Sequence, residues 1–526
     1  MKIQINQINP KSLGFDFNKG IITDCLKTVN SDVLSVFPEL SVSGGMLYNA
    51  TSYSNIFSSS SKICEDLLSE KRDLLFGTPI ESQGKRFNSL VMVEKGEVIA
   101  LATKKNLSSF DCGFESGKGI EVTNYKNQVV GFGFLEDIKD FLEKTTKTDL
   151  LILCSNTLFY HEYQKELLNE LIVLVRKLQT TVVFCNRTGA EGGYLFAGGS
   201  FILNSKGELC GLLPNLKEES QLFETSNVKP INQNSTSKYQ NLYEALTIAL
   251  RDYFNKNGIK KAVLGLSGGI DSALVVTLAV NALGKENVVG ILMPSEYSTD
   301  HSLNDALDSA KNLGIEHHIV EIKDCFDQCD KTFKSILPNQ TFDVAEENLQ
   351  SRLRCVTLMW FANKFNAALL NTTNKSEAAV GYGTLYGDTS GAIAVIADVY
   401  KTEVWGLAKW INNQWLIING ESSGVPIPWN SIEKEPSAEL CPGQKDSDSL
   451  PEYDILDRIL KEYLDNNKCS EEIIATFEKE NLSIEKATIE KVIRLIRINE
   501  WKRRQCPTAV KVTKSCFGID RKVPIS

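Results

Sequence analysis

The sequence predicts an α/β protein of two domains, the second of which contains a doubly wound parallel sheet. The chain has 526 residues, which exceeds the length that one hydrophobic core usually serves. Up to about residue 225, short β-like runs alternate with amphipathic helical stretches, as in layered α/β domains. After residue 239 the pattern is βαβαβ, which is typical of a parallel sheet with helices on both faces.

The first half has β-like runs at residues 90–93, 129–134, 150–153 and 181–184, and an amphipathic helical stretch at 163–178. This alternation predicts one domain over residues 1–225. Residues 226–238 are rich in Asn, Ser and Thr, contain Pro230 and lack apolar periodicity. They are therefore predicted to form a linker.

The second half gives the βαβαβ order directly. Helix 239–256 precedes a buried strand at 261–266, and a second helix begins near Ala273 after a glycine-rich turn. A strand at 288–293, a helix at 302–313 and a strand at 318–322 follow. Residues 239–526 are therefore predicted to form one doubly wound domain.

Composition excludes several classes of protein. The chain is 42% hydrophobic and 23% charged, and its net charge of −9 argues against binding to nucleic acid or an anionic membrane. The longest apolar run, near residues 273–280, is too short to span a bilayer, and the first residues do not resemble a signal peptide. The thirteen cysteines include no CxxC pair, which favours reduced thiols and a cytoplasmic protein.

The glycine-rich turn is the most informative segment. An apolar strand runs into Ser267-Gly268-Gly269-Ile270-Asp271-Ser272, and a helix follows. Glycines allow the backbone to approach a ligand closely, and amides at a helix N-terminus attract anions, so the turn suits a pyrophosphate. It is neither a Walker A loop nor a GxGxxG turn. The alternative is a plain strand-to-helix turn capped by Ser267. Asp271 favours the phosphate site, since a carboxylate there can hold phosphates through Mg²⁺.

SGGxDS resembles the ATP pyrophosphatase group, whose members cleave ATP between its α and β phosphates. Four further stretches follow in order, and together with the turn they are similar to NAD synthetases over essentially all of residues 239–526. These stretches are ENLQSRLR (347–354), NKSE with GYGTLYGD (374–377 and 381–388), PSAEL leading to LPEYD (436–440 and 450–454), and EWKRRQ continuing through Lys511 to Phe517-Gly518.

The resemblance implies ATP-dependent amidation of deamido-NAD through an adenylated intermediate, with ATP as co-substrate and Mg²⁺ as metal. Under it, Asp271 and Glu377 ligate Mg²⁺, and the catalytic residues are Asp271, Glu377, Lys375, Lys401 and Asp388. Lys375, Lys401 and Ser437 contact the ATP phosphates. The wider ATP site comprises Gly265, Ser267, Gly268, Gly269, Asp271, Ser272, Met293, Arg352, Thr372, Lys401 and Ser437. The deamido-NAD or ammonia site comprises Glu347, Asn348, Thr384, Asp388 and Lys511.

Residues 1–225 resemble the nitrilase-like domain, an α-β-β-α sandwich, that releases ammonia from glutamine in larger NAD synthetases. Glu39 in FPEL matches the general base, and Lys104 or its neighbour Lys105 matches the stabilising lysine. The nucleophilic Cys of the family pattern is replaced by Leu135, which cannot form an acyl-enzyme. Stretches 155–158 and 191–193 depart from the pattern too, so this domain is predicted to be a pseudo-glutaminase.

The leading hypothesis is thus an ammonia-dependent NAD synthetase that forms a homodimer or larger homo-oligomer. Its small-molecule partners are ATP, deamido-NAD and ammonia, with no nucleic acid and no membrane. Three alternatives remain: a glutamine-dependent NAD synthetase, an enzyme that amidates nicotinate mononucleotide, and an inactive scaffold that only binds adenine nucleotides.

Overall fold

The computed structural model describes residues 1–143, 147–225, 229–231, 237–339, 341–420, 424–482 and 484–525. The chain divides into two compact units, one of Met1–Glu191 with Leu195–Thr236 and one of Gly192–Tyr194 with Ser237–Ser526. Most of the predicted linker 226–238 lies outside the described residues. Among the helices in those ranges, none has the length and apolar character that crossing a bilayer requires.

The first unit contains two six-stranded sheets and a short hairpin. The first sheet has the order β14-β1-β2-β3-β4-β5 and comprises β1 (Lys2–Gln7), β2 (Leu34–Val36), β3 (Leu74–Ser82), β4 (Lys85–Glu94), β5 (Glu97–Thr103) and β14 (Glu219–Glu224). The second has the order β13-β12-β9-β8-β7-β6 and comprises β6 (Glu121–Tyr125), β7 (Gln128–Phe134), β8 (Leu150–Ser155), β9 (Thr181–Asn186), β12 (Phe201–Leu203) and β13 (Leu209–Leu212). The hairpin pairs β10 (Thr188–Glu191) with β11 (Tyr194–Ala197).

Three apolar clusters show how the layers of this unit stack. Ile5 and Leu75 of the first sheet pack with Phe132 and Ile152 of the second. The outer face of the first sheet is covered by α1 (Phe15–Leu26) and α2 (Ser54–Ser69), and that of the second by α3 (Ile138–Glu143) and α4 (Tyr163–Leu178). Because both faces of the inner strands are covered, β8 is buried along its whole length. The result is an α-β-β-α sandwich.

The second unit contains one parallel sheet in the order β17-β16-β15-β18-β19-β20. Its strands are β15 (Lys261–Gly265), β16 (Val288–Leu292), β17 (Glu316–Ile319), β18 (Ala367–Asn371), β19 (Ile393–Ala394) and β20 (Thr508–Ala509). From β15 the chain builds outward to β17 and then returns to the other side of β15 as β18. Ligands of doubly wound sheets bind where the strand order reverses, at the carboxyl ends of the strands.

Helices flank this sheet and also build a helical subregion near residues 450–500. They are α5 (Lys238–Asn257), α6 (Ile270–Leu283), α7 (Asp300–Leu313), α8 (Lys323–Ile336), α9 (Val344–Phe365), α10 (Lys375–Val380), α11 (Lys401–Asn419), α12 (Trp429–Glu433), α13 (Tyr453–Leu460), α14 (Ser470–Lys479), α15 (Lys486–Ile498) and α16 (Glu500–Arg503). Leu456, Phe477, Val492 and Ile496 pack together in the subregion, and Ala379 and Tyr400 belong to the same cluster.

The predicted α/β fold class is confirmed, and most predicted elements lie at or within two residues of the observed ones. The helix expected at 163–178 has the bounds of α4. The strand expected at 318–322 is present but lies two to three residues earlier, since β17 spans Glu316–Ile319 and Ile322 directly precedes α8. The prediction followed the apolar residues 320 and 322. As an edge strand, β17 is only partly covered and accommodates polar residues, while Val320 and Ile322 pack under the sheet after the strand has ended.

Candidate active site

The glycine turn links the end of β15 to the start of α6. Gly268 has φ +76°, and a Cβ there would lie 2.1 Å from the Ser302 carbonyl oxygen, so only glycine fits. The Gly269 amide donates to Ser267 Oγ (3.2 Å), and Ser272 Oγ donates to the Gly269 carbonyl (3.0 Å). The alternative of a helix capped by Ser267 is not what the structure shows, since Gly269 occupies the N-cap position.

Asp271, Glu377 and Lys401 form a compact charged cluster beside this turn. Lys401 Nζ lies 2.5 Å from Asp271 Oδ2 and 3.5 Å from Glu377 Oε1. Asn374 Nδ2 donates to Asp271 Oδ1 (3.0 Å), and Asn374 and Glu377 cap the start of α10 reciprocally. These side chains follow β15, β18 and β19, whose carboxyl ends lie at one edge of the sheet. The structure therefore brings together three of the predicted catalytic residues.

Electrostatics within the cluster fit a cation-dependent site. Burial and the neighbouring Asp271 raise the pKa of Glu377 to about 8, although Lys401 acts in the opposite direction. Two carboxylates that converge on one ammonium group supply the oxygen donors that Mg²⁺ takes from a protein when phosphates complete its shell. The residues present thus fit the metal expected at Asp271 and Glu377, and its assignment stays a prediction.

A cavity of about 270 Å³ opens next to the turn. Seven residues predicted for ATP or deamido-NAD line it: Gly265, Ser267, Ser272, Met293, Thr372, Asp388 and Ser437. Sequence reasoning assigned no role to Ser302, Arg354, Cys355 or Glu439, which also line it. Arg354 lies in the ENLQSRLR stretch and donates from Nε to the Met293 carbonyl (3.2 Å), so the motif could have identified it.

The predicted deamido-NAD residues fall into two groups. Thr384 Oγ1 donates to Asn348 Oδ1 (2.5 Å), and the Thr384 amide donates to Asp388 Oδ1 (2.5 Å). Arg352, predicted for ATP, donates from Nε to the Leu385 carbonyl (3.2 Å) beside them. Glu347 directly precedes Asn348 near the start of α9. Lys511 is not in this group.

Two lysines that were predicted to contact substrates instead bond to neighbouring protein groups. Lys511 Nζ donates to the carbonyls of Thr513 (2.7 Å) and Lys514 (3.0 Å) and pairs with Asp520. Lys375 was expected at the ATP phosphates, but its ammonium is fully buried against Asp398 (3.0 Å). This placement differs from the expectation, because the Lys375 side chain leaves the first turn of α10 toward the interior instead of the cavity.

The first unit contains a second charged cluster, formed by the residues predicted to be vestigial. Lys104 Nζ lies 2.8 Å from Glu39 Oε1, 3.2 Å from Asp111 Oδ2 and 3.4 Å from Glu136 Oε1. Lys104 is therefore the partner of Glu39, whereas Lys105 pairs with Asp140. Burial raises the pKa of Glu39 to about 7, against the attraction of Lys104.

Leu135 follows β7 and opens a short 3₁₀ turn, Leu135–Asp137, so that Glu136 reaches Lys104. Its side chain packs against the apolar cluster under α3 and α4 that includes Ile138. Neither Cys154 nor Cys112 supplies a nucleophile in place of Leu135 at the end of β7. Cys154 is buried between the two sheets, where burial raises its pKa, and Cys112 is exposed in a loop. Cys64 lies within helix α2, away from the end of β7 in the sequence.

The doubly wound sheet, the glycine turn at its switch point and the adjoining carboxylate–lysine cluster define a nucleotide-dependent α/β enzyme. A family model described as NAD synthase matches residues 242–506. A glutamine-dependent NAD(+) synthetase from Synechocystis sp. is 38% identical over 472 residues, covering 85% of this chain and 82% of the relative. One from Acinetobacter baylyi is 35% identical and covers 100% of this chain and 98% of the relative.

A solved structure agrees over the full length. The glutamine-dependent NAD+ synthetase of Acinetobacter baumannii in complex with ADP is 31% identical, with a TM-score of 0.77, and the match covers 100% of this chain and 98% of that one. The chain belongs to the NAD synthetase family. The resemblance recognised in the sequence is thereby confirmed, and the protein is an enzyme, a ligase of the ATP-dependent kind.

Proposed function

We propose that the chain makes NAD+ by amidating deamido-NAD with ATP and Mg²⁺, giving AMP and pyrophosphate. The glycine turn and the Asp271–Lys401–Glu377 cluster support this, because they would hold the phosphates and their cation while the carboxylate is adenylated. Bound Mg²⁺ would neutralise phosphate charge. The solved relative in complex with ADP supports nucleotide binding by a protein of this fold. Nicotinate mononucleotide stays the alternative acceptor, which a substrate comparison decides.

We propose further that the nitrogen comes from ammonia. The observation that carries this proposal is Leu135, an alkyl side chain beside an otherwise complete Glu39–Lys104 pair. Without a nucleophile at the end of β7, no acyl-enzyme forms from glutamine. Removing a catalytic nucleophile costs on the order of 10⁶ in turnover where this has been measured, which places any residual glutaminase activity below detection.

A second candidate is a glutamine-dependent synthetase, since the relatives compared above carry that name. It requires another nucleophile, or a partner protein that releases ammonia. Among the cysteines near the pair, neither Cys154 nor Cys112 has the position or the environment of a reactive thiol.

Nitrogen transfer distinguishes the two candidates. The protein is incubated with ATP, Mg²⁺, deamido-NAD, unlabelled ammonium and glutamine carrying ¹⁵N in its amide, and the NAD+ is analysed by mass spectrometry. We expect NAD+ without ¹⁵N. Label in the nicotinamide would contradict the ammonia proposal, and its loss in a Glu39→Gln variant would locate the release in the first unit.

The homo-oligomer is also a proposal. Six large apolar side chains of α8, α9 and the residue after α8 are more than half exposed, which is unusual for a free monomer surface: Phe333, Ile336, Leu337, Val344, Val356 and Trp360. Sedimentation equilibrium is expected to give at least twice the chain mass. A monomer at micromolar concentration would contradict the proposal.

We propose a cytoplasmic location because the cysteines are reduced. All thirteen cysteines are free in the structure, as expected for a protein that folds in a reducing compartment.

A further inference from the structure

Three strand ends in the second unit are joined by a buried network. Lys375 follows β18, Asp398 follows β19 and Thr513 follows β20. Lys375 Nζ lies 3.0 Å from Asp398 Oδ1 and donates to Thr513 Oγ1 at 2.6 Å. It also donates to the Ser515 carbonyl at 2.8 Å. One ammonium group therefore ties together the chain leaving three adjacent strands at the carboxyl edge of the sheet.

The ion pair at the centre of the network is shielded from water, and a second carboxylate, Asp465, lies at its partly exposed margin. The side chains of Lys375 and Asp398 are both 0% exposed. Asp465 lies 3.4 Å from Lys375 Nζ and accepts from Tyr400 Oη (2.8 Å), whose ring is 4.6 Å from the ammonium. A buried cation that satisfies two carboxylates, a hydroxyl and a carbonyl is costly to replace, since each partner would lose its bond without gaining water.

The Asp398 side chain accepts hydrogen bonds from backbone amides of the segment 510–515. Its Oδ2 accepts from the amides of Val512 and Thr513, both at 2.8 Å, and its Oδ1 accepts from Thr513 Oγ1 at 2.8 Å. Lys511, the residue expected at deamido-NAD, precedes these two amides. The position of Lys511 therefore depends on Asp398, and that of Asp398 on Lys375.

The same turn of α10 carries the predicted metal ligand. Glu377 is two residues from Lys375 and faces Lys401. Ser376 Oγ, between them, accepts from the Lys401 amide (2.9 Å). The first turn of α10 thus has one side in the charged cluster and the other in the buried network, so the two are rigidly connected through a single helical turn.

The segment 510–515 lies outside the residues that line the cavity. The described residues that line the cavity follow β15, β16 and β18 or belong to α7, α9 and the loop 437–440, and none lies between 508 and 525. Strand β20 is on the opposite side of the switch point from β16 and β17. A change that loosens this segment is therefore expected to affect the acceptor site and to leave the ATP cavity intact.

We propose that Lys375 is a positioning residue that, through Asp398 and Thr513, fixes segment 510–515 for binding of the dinucleotide acceptor. The identity of the acceptor rests on the proposed function, whereas the mechanical role of the network does not. Lys375 touches neither nucleotide nor acceptor on this account. Its side chain sets where the acceptor segment lies relative to the turn that presents Glu377.

The test is titration calorimetry of deamido-NAD, and separately of ATP, with the full-length wild-type protein and two variants. Thr513→Val removes the hydroxyl that bonds to both Lys375 and Asp398 but keeps the shape. Lys375→Met removes the cation. Thr277→Val is the control, because Thr277 is a buried threonine whose hydroxyl donates within its own helix, to the Ala273 carbonyl (2.7 Å).

We expect Thr513→Val, which removes the hydroxyl's bonds to Lys375 and Asp398, to raise the Kd of deamido-NAD about tenfold, with the Kd of ATP unchanged. Lys375→Met should raise it further, and Thr277→Val should change neither Kd. Equal losses for both ligands, or a lower melting temperature with both Kd values unchanged, would overturn the proposal.

Hydrogen exchange provides a readout that does not depend on the acceptor. In Thr513→Val, the amides of 510–515 should exchange faster while those of β15 keep the wild-type rate. Unchanged exchange in 510–515 would overturn the positioning role. Absence of NAD+ formation by the wild-type protein, with the exchange result as expected, would overturn only the proposed function.

Discussion

Replacing Asp271 with Asn is expected to lower NAD+ formation by about 10³-fold or more. Asp271 is central to the charged cluster, where Oδ1 accepts from Asn374 and Oδ2 pairs with Lys401. The amide has the same shape but no charge, so it neither pairs with Lys401 nor ligates a cation strongly. Loss of one preorganised group that stabilises developing charge costs on the order of 10²–10³ in turnover, and loss of a metal ligand adds to this.

Asp252→Asn is the matched control for this experiment. Asp252 is a carboxylate of similar exposure on α5, where it pairs with Lys256 at 3.8 Å. It should retain wild-type turnover. Steady-state kinetics with ammonium as nitrogen source measures both variants. Turnover of Asp271→Asn within tenfold of wild type would contradict the role of the cluster, whereas absence of turnover in the wild-type protein would favour the nucleotide-binding scaffold.

Replacing Lys104 with Ala is expected to destabilise the first unit by about 3–5 kcal/mol at pH 8, the usual cost of leaving buried charge uncompensated. Lys104 is the cation nearest to Glu39, Asp111 and Glu136, and the first two are almost fully buried. Chemical denaturation followed by circular dichroism measures the loss. A change under 1 kcal/mol would mean that water or another cation reaches the cluster. The pair would then be retained without a structural need.

Glu39→Gln removes charge from the same cluster while Lys104 keeps Asp111 and Glu136, so it should be much milder. It also isolates a pH effect. With the pKa of Glu39 raised by burial to about 7, the folded protein holds a proton that the unfolded chain releases near pH 4.3. The unfolding free energy should therefore decrease as pH rises from about 4.3 to about 7. Glu39→Gln should lose that slope, and an unaltered slope would assign it to another group.

Local sequence patterns predicted most of this fold because the decisive information is local. The helix at 163–178 is amphipathic along its whole length, and apolar positions such as Leu168, Leu171 and Val175 face one sheet. Edge strand β17 was misplaced because burial is only partial at an edge, so hydrophobicity does not mark its ends. The short strands β19 and β20 have two residues each and carry no periodicity from which to infer them.

Sequence motifs indicated which residues belong to the site. They did not indicate which way a side chain points, because that depends on packing in the folded protein. SGGIDS and NKSE indicated Asp271 and Glu377, which the structure places around Lys401. NKSE also contains Lys375, but no pattern shows which side of a helical turn faces the core. Glu439 reaches the cavity because Ser302 donates to it across more than a hundred residues (2.5 Å), a contact that tertiary structure alone reveals.

Leu135 also bears on how easily evolution could undo the change. Its side chain packs against the cluster under α3 and α4, so a codon change to Cys would give up apolar contact worth on the order of 1–2 kcal/mol. Stretches 155–158 and 191–193 also depart from the pattern that the resemblance implies, so a thiol at position 135 alone is not expected to give activity. Most proteins have little stability to spare, so selection opposes that first step. Selection is therefore expected to maintain leucine at position 135.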